Sequence, residues 1–342
     1  MTELFDRVAS FPNLLLAARK AVRGKRGRED VREFLFRLEP ALLGLLDQLR
    51  AGTWKPGAYR LFTVLEPKPR DIAAVPLPDR VVHHALLNLL EPVFDAESIE
   101  QSYACRAGKG MQAAVERARE LARRHPHFLK ADVRKYYNSV DHAVLKGMLA
   151  RLVADRRVLD LFFRIVDHQP EGAVPGKGIP IGNLTSQHFA NLYLGPLDRA
   201  LSGPADSESG RYLRYMDDFL LFGRTKEELH LARAEAARVL GDELCLTLKE
   251  PGTFVAPVSV GVPFLGLRIF PGTVRLGRGA LRRFSRGWRT RLADLRSGRL
   301  PDASFHPSAA GAIGHVLQAD TWHLRTRLFF RGSVSRPRGA AA

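Results

Sequence analysis

Two aspartates stand side by side, Asp217-Asp218, between the apolar segments Tyr212-Leu213-Arg214-Tyr215-Met216 and Phe219-Leu220-Leu221-Phe222. Short apolar segments around a polar pair predict the two strands of a β-hairpin with both carboxylates at its tip. Adjacent carboxylates repel, and a cation between or beside them relieves the cost. Asp is also a common turn residue, so the pair alone reads equally well as a plain turn.

A third carboxylate shifts that balance. Asp132 closes the apolar segment Phe128-Leu129-Lys130-Ala131-Asp132-Val133, which predicts a strand, and Tyr136 and Tyr137 lie just beyond. Strand-end carboxylates from two parts of a sheet can converge on a hard divalent cation. Mg2+ takes oxygen ligands, few of them from protein when substrate phosphates supply the rest. Two such ions clamp the attacking and leaving oxygens of an in-line phosphoryl displacement. The charge balance agrees: 53 Lys and Arg against 36 Asp and Glu leave a net +17. That surplus favours nucleic acid first and an anionic membrane second, with a solvated basic surface as the plain alternative. Together these features suggest nucleotidyl transfer.

Other classes fall away. Cys105 and Cys245 make neither a metal pattern nor a disulfide framework, so a reducing cytoplasm is expected. The apolar run Leu14–Ala18 follows Glu3 and Asp6 and is too short to span a bilayer, so neither a secretory signal nor a membrane partner is expected. The 11 histidines form no metal pattern. A chain of 342 residues, 45% hydrophobic, can build two or three domains.

Helical spacing dominates residues 1–54, interrupted by the basic loop Gly24–Arg28 and closed by the turn signal Trp54-Lys55-Pro56-Gly57. A hairpin with a basic tip is predicted around Glu66-Pro67-Lys68-Pro69-Arg70, then a helix capped by Asp79. Helices are predicted over 110–123, from 143 to about 166, over 185–201 and over 226–240. Strands are predicted over 244–248 and 264–270. From Gly272 onward fourteen arginines face only Asp294, Asp302 and Asp320. This reads as a basic helical module over 272–331 with a disordered tail at 332–342.

Tyr215-Met216-Asp217-Asp218 resembles the catalytic signature of reverse transcriptases. Five further segments resemble that family's motifs in the family's order. They are Pro67–Ile72 with Asp79–Leu86, Ser102–Gly110, Asp132–His142, Gly178–Gln187 and Phe264–Ile269. The resemblance spans roughly residues 55–330. It implies an α+β right-hand polymerase fold: fingers and palm interleaved over 55–271, the palm an antiparallel sheet with helices, and a helical thumb over 272–331. Within the family, most members carry Gln where Ile181 stands. The form Ile181-Gly182-Asn183-Leu184-Thr185-Ser186-Gln187 resembles the enzymes of bacterial diversity-generating retroelements, which copy a template RNA and misincorporate opposite adenine. Gly311–His315 with Asp320 and Arg325 resembles the thumb of that group and of group II intron enzymes. No maturase or endonuclease extension is expected from this sequence, which would argue against the intron type.

The resemblance implies an RNA-directed DNA polymerase using two Mg2+ ions, with Mn2+ as an alternative. Asp132 and Asp217 would ligate metal, Asp218 would ligate or position it, and the Val133 carbonyl would add a further ligand. Lys68 and Arg70 would grip the triphosphate, Arg through its planar fork; a solvated turn is the alternative. Tyr137 would be the steric gate against a ribose 2′-hydroxyl, with Tyr136 a packing neighbour. Ile181 would line the incoming nucleotide, where its lack of hydrogen bonding would loosen checking of the new pair. Gly182 would let backbone approach the nucleotide. Asn183, Ser186 and Gln187 would either share that site or cap a helix. Lys249 would protonate the departing pyrophosphate, a surface lysine being an equal alternative. Arg282, Arg283, Arg286 and Arg289 would contact phosphates of the template–primer duplex, and Trp288 and Trp322 would pack thumb helices. The expected partners are template RNA, a cDNA primer, dNTPs and the small basic accessory protein that often serves this family. Two other readings stand beside this one: a reverse transcriptase of a phage-defence, retron or group II intron-like system, and an inactive basic RNA-binding scaffold.

Overall fold

The computed structural model describes residues 3–65, 69–203 and 210–329. The expected tail at 332–342 lies outside these residues, as does Lys68. The strands are β1 (Arg60–Val64) and β2 (Arg70–Ala74) in one sheet, β4 (Tyr212–Tyr215), β5 (Asp218–Gly223), β3 (His127–Asp132) and β6 (Phe254–Pro257) in that order in a second, and β7 (Val262–Phe264), β8 (Leu267–Ile269) and β9 (Val274–Leu276) in a third. The chain forms two units, one of residues 1–110, 131–219 and 231–253, the other of 111–130, 220–230 and 254–342.

The first unit opens with α1 (Leu4–Val8), α2 (Phe11–Ala21), α3 (Glu29–Phe36) and α4 (Leu38–Arg50). Ser10 caps α2 by accepting from the Asn13 amide, and Pro12 stands where no amide is needed. The buried face of α2 is Leu14, Ala17, Ala18 and Ala21. Its three alanines let α2 lie close along a later helix, α5 (Leu77–Ala96), where the Asn13 side chain reaches the Ala85 carbonyl at 3.0 Å.

Strands β1 (Arg60–Val64) and β2 (Arg70–Ala74) form the expected antiparallel hairpin, with Phe62 opposite Ile72. Helix α5 (Leu77–Ala96) follows. Asp79 lies inside its first turn and does not cap it. Its buried carboxylate instead accepts from the Gly57 amide and Trp54 Nε1, fastening the turn before β1. Val81, Val82, Ala85, Leu86 and Leu90 are buried; a fully buried Leu or Val contributes about 1.5–3 kcal/mol.

Helix α6 (Met111–Arg124) and the first residues of β3 (His127–Asp132) belong to the second unit; the end of β3 and α7 (Tyr136–Ser139) belong to the first. Asp141 caps α8 (His142–Leu152) and Asp155 caps α9 (Arg156–Asp167), each carboxylate accepting two first-turn amides. The expected helix over 185–201 is two helices, α10 (Leu184–Tyr193) and α11 (Gly195–Ser202). Pro196 forces the break, because it has no amide to continue α10. The predicted hairpin follows as β4 (Tyr212–Tyr215) and β5 (Asp218–Gly223), then α12 (Lys226–Arg238).

The strand expected over 244–248 does not form. A π-turn at Val239–Glu243 ends α12, and Cys245 adopts φ +52°, which no strand accepts. Only Leu248 makes a bridge, to Val133.

In the second unit β3 pairs antiparallel with β6 (Phe254–Pro257), His127 opposite Pro257. The single strand expected over 264–270 is a hairpin, β7 (Val262–Phe264) and β8 (Leu267–Ile269), because Leu265 and Gly266 both turn left-handed. Strand β9 (Val274–Leu276) completes that sheet. Helices α13 (Arg278–Arg296), α14 (Asp302–Val316) and α15 (Trp322–Phe329) follow, as the helical reading of this region expects. Trp288 is buried against Phe284 on α13. Trp322 is 60% exposed beside Arg325, so it does not pack as expected. No helix among the described residues is long and apolar enough to cross a membrane.

Candidate active site

The aspartates meet through backbone. Tyr215 ends β4 and Asp218 begins β5, leaving Met216 and Asp217 as the turn. Met216 holds φ +56°, a left-handed conformation that costs a residue with a Cβ about 1–2 kcal/mol. Beyond β3, the Val133 amide donates to the Asp217 carbonyl at 3.3 Å. That bond sets the end of β3, with Asp132, against the Asp217-Asp218 turn.

Lys249 joins them. Its amide donates to the Asp132 carbonyl at 2.9 Å, and its ammonium lies 2.5 Å from Asp132 Oδ2. The hydrogen bond to Asp132, with the negative charge of Asp132, Asp217 and Asp218, holds the ammonium above its ordinary pKa against a smaller effect of burial. The Arg134 amide donates to the Thr247 carbonyl, so residues 247–249 are stitched alongside 132–134. The Val133 carbonyl takes no part in that stitching.

Tyr137 covers the turn. Its hydroxyl points at Met216 Sδ, 3.7 Å away, and its ring stands edge-on to Tyr136 at 5.7 Å. Burial chiefly, then Cys105 and Asp217, push its pKa up, and Arg70 pulls it the other way. Arg70, exposed at the start of β2, is thus within electrostatic reach of Tyr137. Tyr136 is buried and donates to the Ala190 carbonyl, the packing role expected of it.

The loop before α10 carries Ile181 and Gly182. It is tied by Gly178 N to Val140 O and Ile179 N to Tyr137 O, both 2.7 Å, and by Ala73 N to Ile181 O at 2.9 Å. Gly182 holds φ +119°, and a Cβ there would lie 2.7 Å from Ile72 Cγ2. The close approach that needs glycine is therefore to β2. Ile181 is half-buried. Asn183 stands at the N-cap of α10, but its side chain makes no capping bond. It is 3% exposed; its Nδ2 lies 3.5 Å from the Tyr59 hydroxyl and its Oδ1 has no partner.

That carboxamide lines a cavity of about 560 Å³ whose walls include Lys25, Arg28, Arg60, Arg80, His83, His84, Phe62 and Ile72. Burial, then the neighbouring Arg80 and Arg28, lower the pKa of Lys25. Burial and Arg28 likewise lower that of Arg80. Burial chiefly brings His83 to about 3 and His84 to about 4. Crowded cations of this kind are stabilised by an anion. The basic loop Gly24–Arg28 supplies two of them, a role its sequence alone did not show.

Sequence reasoning missed Arg214, Asp198 and Asn191, which build the floor beneath the turn. Arg214 is fully buried and forms a two-pronged ion pair with Asp198, itself buried. Burial alone would lower the Arg214 pKa, but the Asp198 charge and hydrogen bond outweigh it and the shift is upward. One signal was available: an arginine inside an apolar strand has to find a buried partner.

The four arginines expected to meet nucleic acid, Arg282, Arg283, Arg286 and Arg289, are exposed on α13, opposite its buried Ala280, Phe284 and Trp288. They lie in the second unit, and the aspartates in the first.

Among the described residues no three His, Cys, Asp or Glu side chains form a ready-made metal cage. An ion here would draw part of its shell from elsewhere, as Mg2+ does when phosphates supply oxygens. The donors fit such an ion: they are hard carboxylates whose charges already converge on one ammonium.

The fold is mixed helical and antiparallel, with carboxylates at a strand end and at a hairpin tip. Residues 57–269 match the family "Reverse transcriptase (RNA-dependent DNA polymerase)", and the chain belongs to that family. It is 27% identical over 282 residues to "Protein YkfC" of Escherichia coli, across 70% of this chain and 74% of that one. It is 23% identical over 164 residues to "Putative COX1/OXI3 intron 1 protein" of Saccharomyces cerevisiae, across 46% of this chain and 20% of that one. A shorter stretch, 83 residues at 36% identity, matches "Nuclear intron maturase 1, mitochondrial" of Arabidopsis thaliana, across 24% of this chain and 12% of that one. Among solved structures, apo telomerase of Candida tropicalis superposes with a TM-score of 0.50 at 10% identity, over 64% of this chain and 47% of that one. The chain thus spans about half the length of that telomerase, and the likeness is one of fold.

Proposed function

We propose that this chain copies an RNA template into DNA, with Asp132, Asp217 and Asp218 as its metal-binding carboxylates. The observation that carries the reading is the Val133–Asp217 bond, which joins the end of β3 to the hairpin tip with Lys249 lying on Asp132. Bound there, two Mg2+ ions, or Mn2+, would activate a primer 3′-hydroxyl and neutralise triphosphate charge. Asp132, Asp217, Asp218 and the Val133 carbonyl would hold them. Lys249, kept protonated by Asp132, would give a proton to departing pyrophosphate. Lys68 and Arg70 would take triphosphate oxygens. Tyr137, over the turn, would meet a ribose 2′-hydroxyl.

The cavity of Lys25, Arg28, Arg60 and Arg80 would take template phosphates, with the unpartnered Asn183 oxygen accepting a hydrogen bond from the strand. Arg282, Arg283, Arg286 and Arg289 would take phosphates of the template–primer duplex. Ile181 would line the nascent pair without hydrogen-bonding it, which supports an error-prone enzyme of the diversity-generating retroelement type, served by a small basic accessory protein. The relatives named for introns favour a second reading, an intron-type reverse transcriptase.

The test is primer extension on a defined RNA with dNTPs and Mg2+. Asp217→Asn should abolish extension in a folded protein; retained extension would remove the metal assignment. Sequencing the cDNA separates the two biological readings. Errors concentrated at template adenines, and reduced by Ile181→Gln, support the retroelement type, and an even error spectrum supports the intron type.

A further inference from the structure

The floor of the catalytic turn uses every donor of one buried side chain. Arg214 Nε and Nη2 donate to the two oxygens of Asp198 at 2.6 and 2.5 Å. Nη2 also donates to the Asn191 carbonyl at 3.3 Å, and Nη1 to Asn191 Oδ1 at 3.2 Å. The remaining Nη1 proton goes to the Met216 carbonyl at 3.0 Å. A guanidinium has five N–H groups in a rigid fork, and here all five are spoken for. Asp198 is held in turn by the Tyr212 hydroxyl at 2.8 Å.

We propose that Arg214 is a positioning residue for the reaction: it orients the Asp217 and Asp218 carboxylates by clamping the Met216 carbonyl, with Asp198 and Asn191 fixing the clamp. This rests on the reading of those carboxylates as metal ligands. Met216 is left-handed without being glycine, so its peptide plane needs an outside restraint. Arg214 holds the Met216 carbonyl, and the Val133 amide holds the Asp217 carbonyl. Two consecutive fixed carbonyls set the peptide planes on either side of Asp217, and the direction of its side chain follows.

Stability alone is a weak reason for such a pair. Buried ion pairs are often replaceable by apolar side chains of similar volume without loss. Here the pair also extends a spare donor to the turn. A lysine could keep the charge, but three donors on a flexible stem cannot reproduce the fork. The backbone of Arg214 is fixed as well, its amide to the Gln101 carbonyl and its carbonyl to the Tyr103 amide. The clamp therefore acts from an anchored base.

The experiment compares the full chain with Arg214→Lys and with the charge-free double variant Asp198→Leu/Arg214→Met. Each is followed by thermal melting and by oligo(dT) extension on poly(rA) over a MgCl2 titration. We expect cooperative melting in both, with kcat lowered about 10²-fold, as a reacting group misplaced by about 1 Å gives. Half-saturating Mg2+ should rise about tenfold, the size of effect seen when support of metal ligands is lost. A purely structural pair would instead lower the melting temperature and leave kcat and Mg2+ dependence unchanged per folded molecule. That result in either variant overturns the proposal. So does failure of both to fold, since Arg214 would then serve the core and not the turn. Asp217→Asn separates the two levels. If it still extends primer, the metal reading fails. If it is dead while Arg214→Lys behaves as wild type, only the clamp fails.

Discussion

Replacing Gly182 by alanine tests how the loop carrying Ile181 is held. At φ +119° any residue with a Cβ is strained, by about 1–3 kcal/mol. The new methyl would also lie 2.7 Å from Ile72 Cγ2 and 3.3 Å from the Ala73 carbonyl. The nearest atom ends a side chain, so Ile72 can turn away at about 0.5–1.5 kcal/mol. The carbonyl is backbone and does not yield as cheaply. Gly182→Ala should therefore lose about 2–4 kcal/mol in urea unfolding. Ile72→Ala removes the clash and not the strain, so a double-mutant cycle should show about 1 kcal/mol of favourable coupling. The loop should also move away from β2, weakening the 2.9 Å bond from Ala73 N to Ile181 O. The dNTP KM of folded protein should rise several-fold while its Mg2+ dependence stays unchanged. A loss within about 0.5 kcal/mol of zero, or no coupling to Ile72, refutes the account of why glycine stands there.

Three further outcomes follow from charge and burial. Arg60→Gln and Arg80→Gln should each weaken single-stranded RNA binding and flatten the salt dependence of log K by about 0.7, measured by fluorescence anisotropy over a KCl series. Arg286→Gln with Arg289→Gln should weaken binding of an RNA–DNA duplex by the same factor whatever its sequence, because phosphate contacts carry no base information. His83 is buried, with Nδ1 3.1 Å from Thr185 Oγ1, and its pKa falls to about 3 from 6.5. The unfolded chain binds the proton first, so stability is full above pH 6.5 and is lost as the pH drops toward 3, by about 3 kcal/mol at pH 4. His83→Asn should flatten urea-derived stability between pH 4 and 6.5; an unchanged slope sinks this assignment.

Local pattern made much of the fold legible. Short apolar segments on either side of Asp217-Asp218 gave β4 and β5, and the spacing in residues 1–54 gave helices. The errors fell where one backbone angle decides. Nothing in Leu244–Leu248 announces that Cys245 turns left-handed, and nothing in Phe264–Phe270 marks Leu265 as a turn residue. Asp79 sits where a cap is expected, yet tertiary structure claims its carboxylate for Trp54 and Gly57, partners more than twenty residues away. The site divides the same way. Its acids stand out because water is their ordinary surrounding. Arg214, in β4, does not, because its meaning lies in Asn191 of α10 and Asp198 of α11.

Lys249 shows what geometry adds to such a reading. From sequence, a proton donor and a surface lysine were equally good accounts. The structure puts its ammonium 2.5 Å from Asp132 Oδ2, with Asp217 and Asp218 also acting on it. Its side chain is still 41% exposed, and two roles would be coupled in it. The ammonium would repel a divalent ion entering the carboxylates, and it would donate a proton to leaving pyrophosphate. Lys249→Gln separates them. Removing one positive charge at about 4 Å from a divalent ion is worth about 2 kcal/mol in water, so half-saturating Mg2+ should fall about thirtyfold. Losing a general acid should cost about 10²-fold or more in kcat at saturating Mg2+. Both changes together are expected in single-turnover extension. Tighter Mg2+ dependence at full rate would make Lys249 a charge placeholder and remove it from the chemistry. Neither change would mean that the ion pair with Asp132 is broken once nucleic acid is bound.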